Sequence, residues 1–261
     1  MGEQGADQSI TFDRAAEYYD RTRSLPADLM TEVTDVLVDE LKGRGRTLEI
    51  GVGTGRVALP LHERGVELVG LDISRAMIDR LIETAGGVIP FPIALADATT
   101  VPLATNSIRA ALAVHVFHLI PNWRRVLDEL VRVMDNGGVL IADLAPWGGG
   151  EIHQVTEHWL AAAGLEKSHP GLLKSDELDE AMKARGARVR ELDAIRGSRS
   201  RTYEEVIAPY EEGLFSITWR VSEEIRKEAS EATRAWVTEN LGNLNESIEE
   251  EIVIGLRAYD L

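Results

Sequence analysis

The sequence of 261 residues contains no cysteine. This excludes disulfide bonds, thiolate metal sites and cysteine nucleophiles, and it is ordinary for a protein of the reducing cytosol. The histidines do not indicate a metal site either, because His153 and His158 lack the further ligands that a zinc site needs. The sequence therefore predicts a cytoplasmic protein with no bound metal.

Basic residues are also scarce. Lysine and arginine number 28 against 44 aspartates and glutamates, which gives a formal net charge of -16. A field of that sign repels the phosphates of nucleic acids and of anionic membranes. We expect neither nucleic acid nor a membrane as a partner.

Long apolar runs and targeting signals are missing as well. The longest apolar stretch, residues 110–121, is too short to cross a bilayer and is interrupted by histidines. The first residues are polar and acidic, and Ala6 stands where a myristoylation site needs serine or threonine. With 44% hydrophobic residues, the chain has the composition of one domain spanning residues 1–261.

Strand-like apolar runs alternate with stretches of helical periodicity. Strands are predicted at residues 46–50, 67–71, 88–95, 107–116 and 139–143, with helices at 29–41, 57–64, 74–84 and 121–133. This order is typical of a parallel sheet with helices on both faces. Pro90 and Pro92 place the third strand at a sheet edge, because proline cannot donate a ladder hydrogen bond.

The remaining chain predicts a hinge at residues 146–150, helices at 152–163, 175–185, 202–219 and 222–241, and strands at 187–195 and 248–259. The fold class expected is α/β, with a Rossmann-like, mostly parallel, seven-stranded sheet and an extra helical cap. Within the domain we expect an N-terminal lid (1–45), a cofactor-binding half (46–143) and an acceptor-side half (144–261).

Three glycines, Gly51, Gly53 and Gly55, follow the first strand and are each separated by one residue. Glycine suits backbone that takes a positive φ or lies directly against a ligand. The spacing is tighter than the dinucleotide fingerprint, which disfavours a nicotinamide-dependent oxidoreductase. Glu49, just before the loop, would repel a pyrophosphate and could hold a ligand amino group, or could simply cap the loop.

Acidic residues follow the next two strands. Asp72 comes about twenty residues after the glycines, where it could accept both hydroxyls of a ribose. Asp97 follows the third strand, where it could accept the amino hydrogen of adenine or act as a turn residue.

These segments together resemble the successive motifs of the class I S-adenosylmethionine-dependent methyltransferases. The segments, which cover about residues 45–143, are Glu49-Ile50-Gly51-Val52-Gly53-Thr54-Gly55, Gly70-Leu71-Asp72-Ile73-Ser74, Ala96-Asp97-Ala98-Thr99 and Asn136-Gly137-Gly138. The resemblance implies that S-adenosylmethionine is the cofactor and S-adenosylhomocysteine the product. It also implies that Gly51, Gly53 and Gly55 form the cofactor shelf.

The same resemblance assigns the adenosine end of the cofactor. Asp72 would bind the ribose, Ile73 and Met77 would pack on the adenine, and Asp97 with Ala98 would lie at its edge. Met77 is open to a second interpretation, as ordinary helix core.

The N-terminal segment Tyr18-Tyr19-Asp20-Arg21-Thr22-Arg23 resembles the Tyr-Asp-x-x-Arg element that many small-molecule methyltransferases fold over the cofactor. By that resemblance Tyr19 and Arg23 would approach the methionine carboxylate, where a guanidinium donates charge-assisted hydrogen bonds. The alternative is a solvated helix end.

Methyl transfer from a sulfonium is an in-line displacement that needs alignment and exclusion of water. An oxygen or nitrogen acceptor would also benefit from a general base, for which His115, His118, Asp143 and Glu151 are candidates. We favour His118, the histidine nearer the carboxyl end of the fourth strand, although a backbone-bonded histidine there is an equal alternative.

The methyl acceptor is expected to be a small molecule that offers an oxygen, nitrogen or carbon nucleophile. Monomer and homodimer both remain open. The other functions consistent with the motifs are a non-catalytic or regulatory protein that binds S-adenosylmethionine and, less favoured by the glycine spacing, the oxidoreductase.

Overall fold

The computed structural model describes residues 9–143, 151–166 and 169–261. Its strands are β1 (Thr47–Ile50), β2 (Leu68–Asp72), β3 (Ile93–Leu95), β4 (Ile108–Ala113), β5 (Met134–Asp143), β6 (Arg188–Glu191), β7 (Ile195–Thr202), β8 (Ser247–Ile254) and β9 (Leu256–Asp260). Its α-helices are α1 (Tyr19–Arg23), α2 (Ala27–Leu41), α3 (Ala58–Glu63), α4 (Arg75–Thr84), α5 (Trp123–Val133), α6 (Glu151–Ala162), α7 (Ser175–Lys183), α8 (Tyr203–Glu211) and α9 (Glu223–Asn240).

Seven strands form the main sheet in the order β3-β2-β1-β4-β5-β9-β6. The first five are parallel, whereas β9 runs antiparallel to both β5 and β6. The expected mostly parallel, seven-stranded α/β fold is confirmed. The strand order reverses between β1 and β4, and in open α/β sheets ligands bind in the crevice at the carboxyl ends of strands at such a point.

Helices cover both faces of the sheet. Leu48 and Ile50 of β1 belong to one core cluster with α5 and α7, and α2 and α3 pack in a second cluster on the opposite face. A third cluster joins α6, α8 and α9 as a separate helical cap. The cap is the extra layer that the sequence predicts.

The second half of the sheet differs from the prediction. The strand predicted at residues 187–195 is two elements, β6 in the main sheet and the start of β7, and the one predicted at 248–259 is β8 and β9, separated by Gly255. The helix predicted from residue 202 follows β7. Residues 195–202 pair with β8 as a two-stranded ribbon, because their arginines face glutamates across it: Arg199 and Arg201 both bind Glu250.

The edge strand is shorter than predicted, since pairing of β3 begins only at Ile93, after the two prolines. The hinge at residues 146–150 lies outside the described residues. Across the described ranges, none of the helices has the length and apolar character that spanning a membrane requires.

Candidate functional site

A cleft that is partly open to solvent lies at the switch point of the sheet. It is bounded by the residues that follow β1, β2, β3 and β4 and by the segment before α1. Its lining comprises Ser9, Ile10, Phe12, Tyr19, Gly51, Gly53, Leu71, Asp72, Ile73, Met77, Ala96, Asp97, Ala98, Val114, His115, Val116, Leu119 and Ile120. The cleft therefore brings together eight of the residues predicted to bind the cofactor and one candidate base, His115.

The glycine loop forms the floor of the cleft. Gly51 and Gly53 have φ values of 66° and 55° and both line it. A Cβ on Gly51 would lie 2.7 Å from Cγ2 of Val116, so the loop after β1 packs directly on the loop after β4. Gly55 is not a lining residue. A Cβ there would meet Leu59 of α3 and Leu81 of α4 at 2.8–2.9 Å. The absence of a side chain at Gly55 therefore leaves room for these two helices.

Gly51→Ala is expected to destabilise the fold by about 2–4 kcal/mol, because the new methyl group meets Val116 in a backbone conformation that strains alanine. Gly43→Ala is the matched control: its φ is 77°, but a Cβ there meets nothing within 4 Å. It should cost only about 1–2 kcal/mol. Urea denaturation of both variants measures the difference, and equal losses would show that the contact with Val116 is unimportant.

Asp72, at the end of β2, is tied to the glycine loop. Its Oδ2 accepts a hydrogen bond from the backbone N–H of Gly53 at 2.8 Å, and its Oδ1 accepts one from the N–H of Ser74 at 2.8 Å. Burial raises the pKa of this carboxyl group, and the two backbone donors act in the opposite direction. Each oxygen keeps a second lone pair, so the carboxylate can still accept hydrogen bonds from a ligand.

The wall beside Asp72 is mostly apolar. Ile73 is 40% exposed although it is a large hydrophobic residue, and Met77 and Ala98 are buried beside it. Asp97 lines the same wall, and its Oδ1 accepts a hydrogen bond from the N–H of Thr99 at 2.8 Å. Asp97 therefore acts as a turn residue, which is one of the two roles that the sequence predicts. Its Oδ2 is available to a ligand.

Glu49 lies beneath the cleft and is not among its lining residues. Its side chain is buried on the sheet face opposite Leu48 and Ile50, and its Oε2 has no hydrogen-bond partner. Burial raises the pKa of Glu49 to about 8, with Arg56 opposing and Asp72 adding to the rise. An unpartnered buried carboxyl group at the start of the glycine loop is a polar group that a ligand could satisfy.

Residues before α1 close the cleft. The N–H of Ile10 donates to the carbonyl of Leu119 at 3.2 Å, and the Ser74 hydroxyl donates to Asp13 at 2.7 Å. Thr54 donates to Asp20 at 2.7 Å, which ties α1 to the glycine loop. Sequence reasoning identified Tyr19 but missed residues 9–13, because they carry no motif and acquire a role only through contacts more than sixty residues away.

Tyr19 and Arg23 occupy different positions on α1. Tyr19 lines the cleft and packs edge-on against Phe12. Arg23 is partly buried, its guanidinium lies 4.9 Å from the ring centroid of Phe215, and burial lowers its pKa. No carboxylate of the described residues forms an ion pair with Arg23, so a partly desolvated positive charge lies between the cleft and the cap.

The structure distinguishes the two histidines after β4. His115 lines the cleft, whereas His118 is not among the lining residues. His118 lies in a short 3-10 helix at Phe117–Leu119, with its ring 5.0 Å from that of His115 and 4.8 Å from that of His169. Burial, with His115, His169 and Arg23 nearby, lowers the pKa of His118 to about 2. Among the described residues, no group of three or more histidine, aspartate or glutamate side chains is arranged to hold a metal ion.

Comparison with known proteins identifies this architecture. The family model described as a methyltransferase domain matches residues 48–142. An uncharacterized methyltransferase of Mycobacterium tuberculosis is 33% identical over 136 residues, 51% of each chain. The malonyl-acyl-carrier-protein O-methyltransferase of Geobacter sulfurreducens is 24% identical over 185 residues, 68% of each chain.

In sequence, residues 48–142 therefore match a methyltransferase domain. The solved structure of the YcgJ protein from Bacillus subtilis superimposes with a TM-score of 0.60 at 17% identity, covering 88% of this chain and 98% of that one. This similarity extends the shared fold well beyond the matched domain. In sequence, the alignments span about half the length of the first curated relatives.

The cleft of the methyltransferase domain suits the cofactor of its family, S-adenosylmethionine. That molecule carries a flat base, a ribose diol, a sulfonium and an amino-acid group. The cleft offers a matching apolar wall, a carboxylate at Asp72, and a glycine floor with no side chain between backbone and ligand. Outside the lining, Glu49 beside the glycine loop adds an unpartnered acid, and Arg23 on α1 adds a cation without a carboxylate partner among the described residues.

Proposed function

We propose that this protein transfers a methyl group from S-adenosylmethionine to a small-molecule acceptor. One observation carries the proposal: Asp72 and the glycine loop are joined by a hydrogen bond at the switch point, beside an exposed apolar wall. The cofactor, when bound, supplies a methyl group activated on a positively charged sulfur. The protein has to bind the two reactants in line and exclude water.

We assign the residue roles that the family resemblance implies, and the lining of the cleft supports them. Asp72 accepts hydrogen bonds from the ribose hydroxyls, and Ile73 with Met77 packs against the adenine. Asp97 and Ala98 contact the adenine edge. Gly51 and Gly53 let the backbone lie against the cofactor, and Tyr19 covers it.

Charged residues bind the amino-acid end of the cofactor. Glu49 binds the ammonium group, and Arg23 binds the carboxylate together with Tyr19. Both are partly or wholly desolvated, so an ion pair with a ligand is stronger there than at the surface.

A small acceptor suits the enclosure of the cleft by residues 9–19 on one side. The net charge of -16 disfavours nucleic acid. The Geobacter sulfurreducens relative is named for its action on malonyl-acyl-carrier protein, which is a property of that protein.

Isothermal titration calorimetry with S-adenosylmethionine, S-adenosylhomocysteine and NAD separates the possible functions. We expect micromolar binding of the first two and none of NAD. Release of S-adenosylhomocysteine is then followed by mass spectrometry with a panel of phenols, primary amines and carboxylic acids. Binding without turnover across the panel would favour a non-catalytic protein, and binding of NAD alone would contradict the proposal.

The role of Glu49 predicts a proton release. With a pKa of about 8, the free carboxyl group is mostly protonated at pH 7, and an ammonium ion beside it favours the ionised form. Binding of S-adenosylhomocysteine at pH 7 should therefore release close to one proton from Glu49. Calorimetry in two buffers of different ionisation enthalpy measures the release. In Glu49→Gln it should disappear, and equal release from both proteins would show that Glu49 does not contact the ligand.

A further inference from the structure

His115 and Asp143 form a pair on neighbouring strands. Ala113 of β4 lies opposite Ala142 of β5, so the chain leaves both strands at the same level. The backbone N–H of His115 donates to Oδ1 of Asp143 at 2.5 Å, and the imidazole Nδ1 lies 3.5 Å from Oδ2. The Asp143 side chain is 4% exposed and its Oδ2 has no hydrogen-bond partner, whereas the His115 side chain is 22% exposed and lines the cleft.

The backbone at His115 is strained. Its φ of 58° lies in the left-handed region, and only one other described non-glycine residue, Asn106, has a positive φ. A residue in this region costs about 1–3 kcal/mol and persists where its surroundings fix it, often at a functional site. Here the backbone hydrogen bond to Asp143 fixes the turn, and the His115 ring lines the cleft with its Nδ1 on the side of the Asp143 carboxylate.

We propose that His115 is the general base of the methyl transfer, that Asp143 positions it, and that the acceptor is therefore a hydroxyl or an amine. This inference rests on the proposed function. In the step, the acceptor oxygen or nitrogen bonds to the methyl carbon as the carbon–sulfur bond breaks, and the bonding electrons of that bond stay on sulfur as a neutral thioether. The acceptor proton moves to Nε2 of His115, and the Asp143 carboxylate stabilises the resulting imidazolium.

The alternative bases fit less well. His118 is not among the residues that line the cleft, and burial lowers its pKa, which makes it a poor proton acceptor. Glu151 lies on α6 and already accepts a hydrogen bond from the Tyr203 hydroxyl at 2.6 Å. A carboxylic acid acceptor has already lost its proton near neutral pH and would give the histidine–aspartate pair no proton to remove.

Proton NMR of the whole protein tests the pair without an acceptor. An imidazole N–H held against a buried carboxylate gives an exchangeable resonance far downfield of the amide region. We expect this resonance in the wild type, its loss in both His115→Gln and Asp143→Asn, and its persistence in the control His118→Gln. Asp143→Asn keeps a carbonyl oxygen for the His115 N–H, so the turn is preserved while the charge is removed. A wild type without the resonance, or an Asp143→Asn variant that keeps it, would overturn the pair.

Turnover with the panel of phenols, primary amines and carboxylic acids tests the acceptor class. We expect methylation of phenols or amines only, and a fall in kcat of about 10²- to 10⁴-fold in His115→Gln with KM for S-adenosylmethionine unchanged. Turnover confined to carboxylic acids would refute the inference. Calorimetry with S-adenosylhomocysteine separates the two proposals: a protein that shows the resonance but binds no S-adenosylhomocysteine retains the pair and lacks the proposed function.

Discussion

Asp72→Ala is expected to weaken the binding of S-adenosylhomocysteine by about 10- to 100-fold. The substitution removes a buried carboxylate that faces the ribose position, and a hydrogen bond to a charged group is worth about 1.5–3 kcal/mol. It also frees the N–H groups of Gly53 and Ser74, which the carboxylate holds at 2.8 Å each. The loop that forms the cleft floor therefore loses its fixed position together with the ribose contact.

Calorimetry of the variant against S-adenosylhomocysteine measures this loss. Asp35→Ala is the matched control, because it removes the same charge from α2, where Asp35 forms an exposed ion pair with Arg64. Its affinity should equal that of the wild type, which would show that net charge is not the cause. An Asp72→Ala variant that binds as tightly as the control, with the same thermal unfolding midpoint, would refute the site assignment.

The parallel half of the fold was predictable because its signals are local. The glycine spacing marks the end of β1, and Ser74 begins α4, where its hydroxyl accepts from the N–H of Met77 at 3.2 Å. Pro90 and Pro92 mark the sheet edge. Each of these signals acts within a few residues, so sequence alone is sufficient to place the glycine loop and Asp72 at one edge of the sheet.

The remainder depends on contacts between distant residues. The alternating arginines of residues 195–202 do not predict a separate strand by themselves. Their strand forms by pairing with β8, where Glu250, some fifty residues later, binds them. Likewise, the choice between His115 and His118 could not be made by assuming an extended strand, because β4 ends at Ala113 and the following turn is fixed by Asp143, twenty-eight residues further on. The sequence identified both histidines as candidates for the base, whereas the turn that brings His115 to the cleft depends on this tertiary hydrogen bond.

His115→Gly should separate catalysis from stability. Glycine adopts the φ of 58° without strain, so the variant is expected to unfold at the same urea concentration as the wild type or a higher one, with a change within about 1 kcal/mol. Methyl transfer to a phenol or amine acceptor should nevertheless fall by about 10²- to 10⁴-fold, because no group remains to take the proton. Imidazole added to the buffer should restore part of the rate, since the missing ring leaves space beside Asp143.

Asn106→Gly is the matched control for this experiment. Asn106 has a φ of 53° in an exposed turn before β4, so the exchange relieves the same kind of backbone strain away from the cleft. It should match His115→Gly in stability and the wild type in turnover. If His115→Gly instead retained a rate within about threefold of the wild type, proximity and alignment alone would account for the reaction, and the strained turn would serve only to join β4 to Asp143.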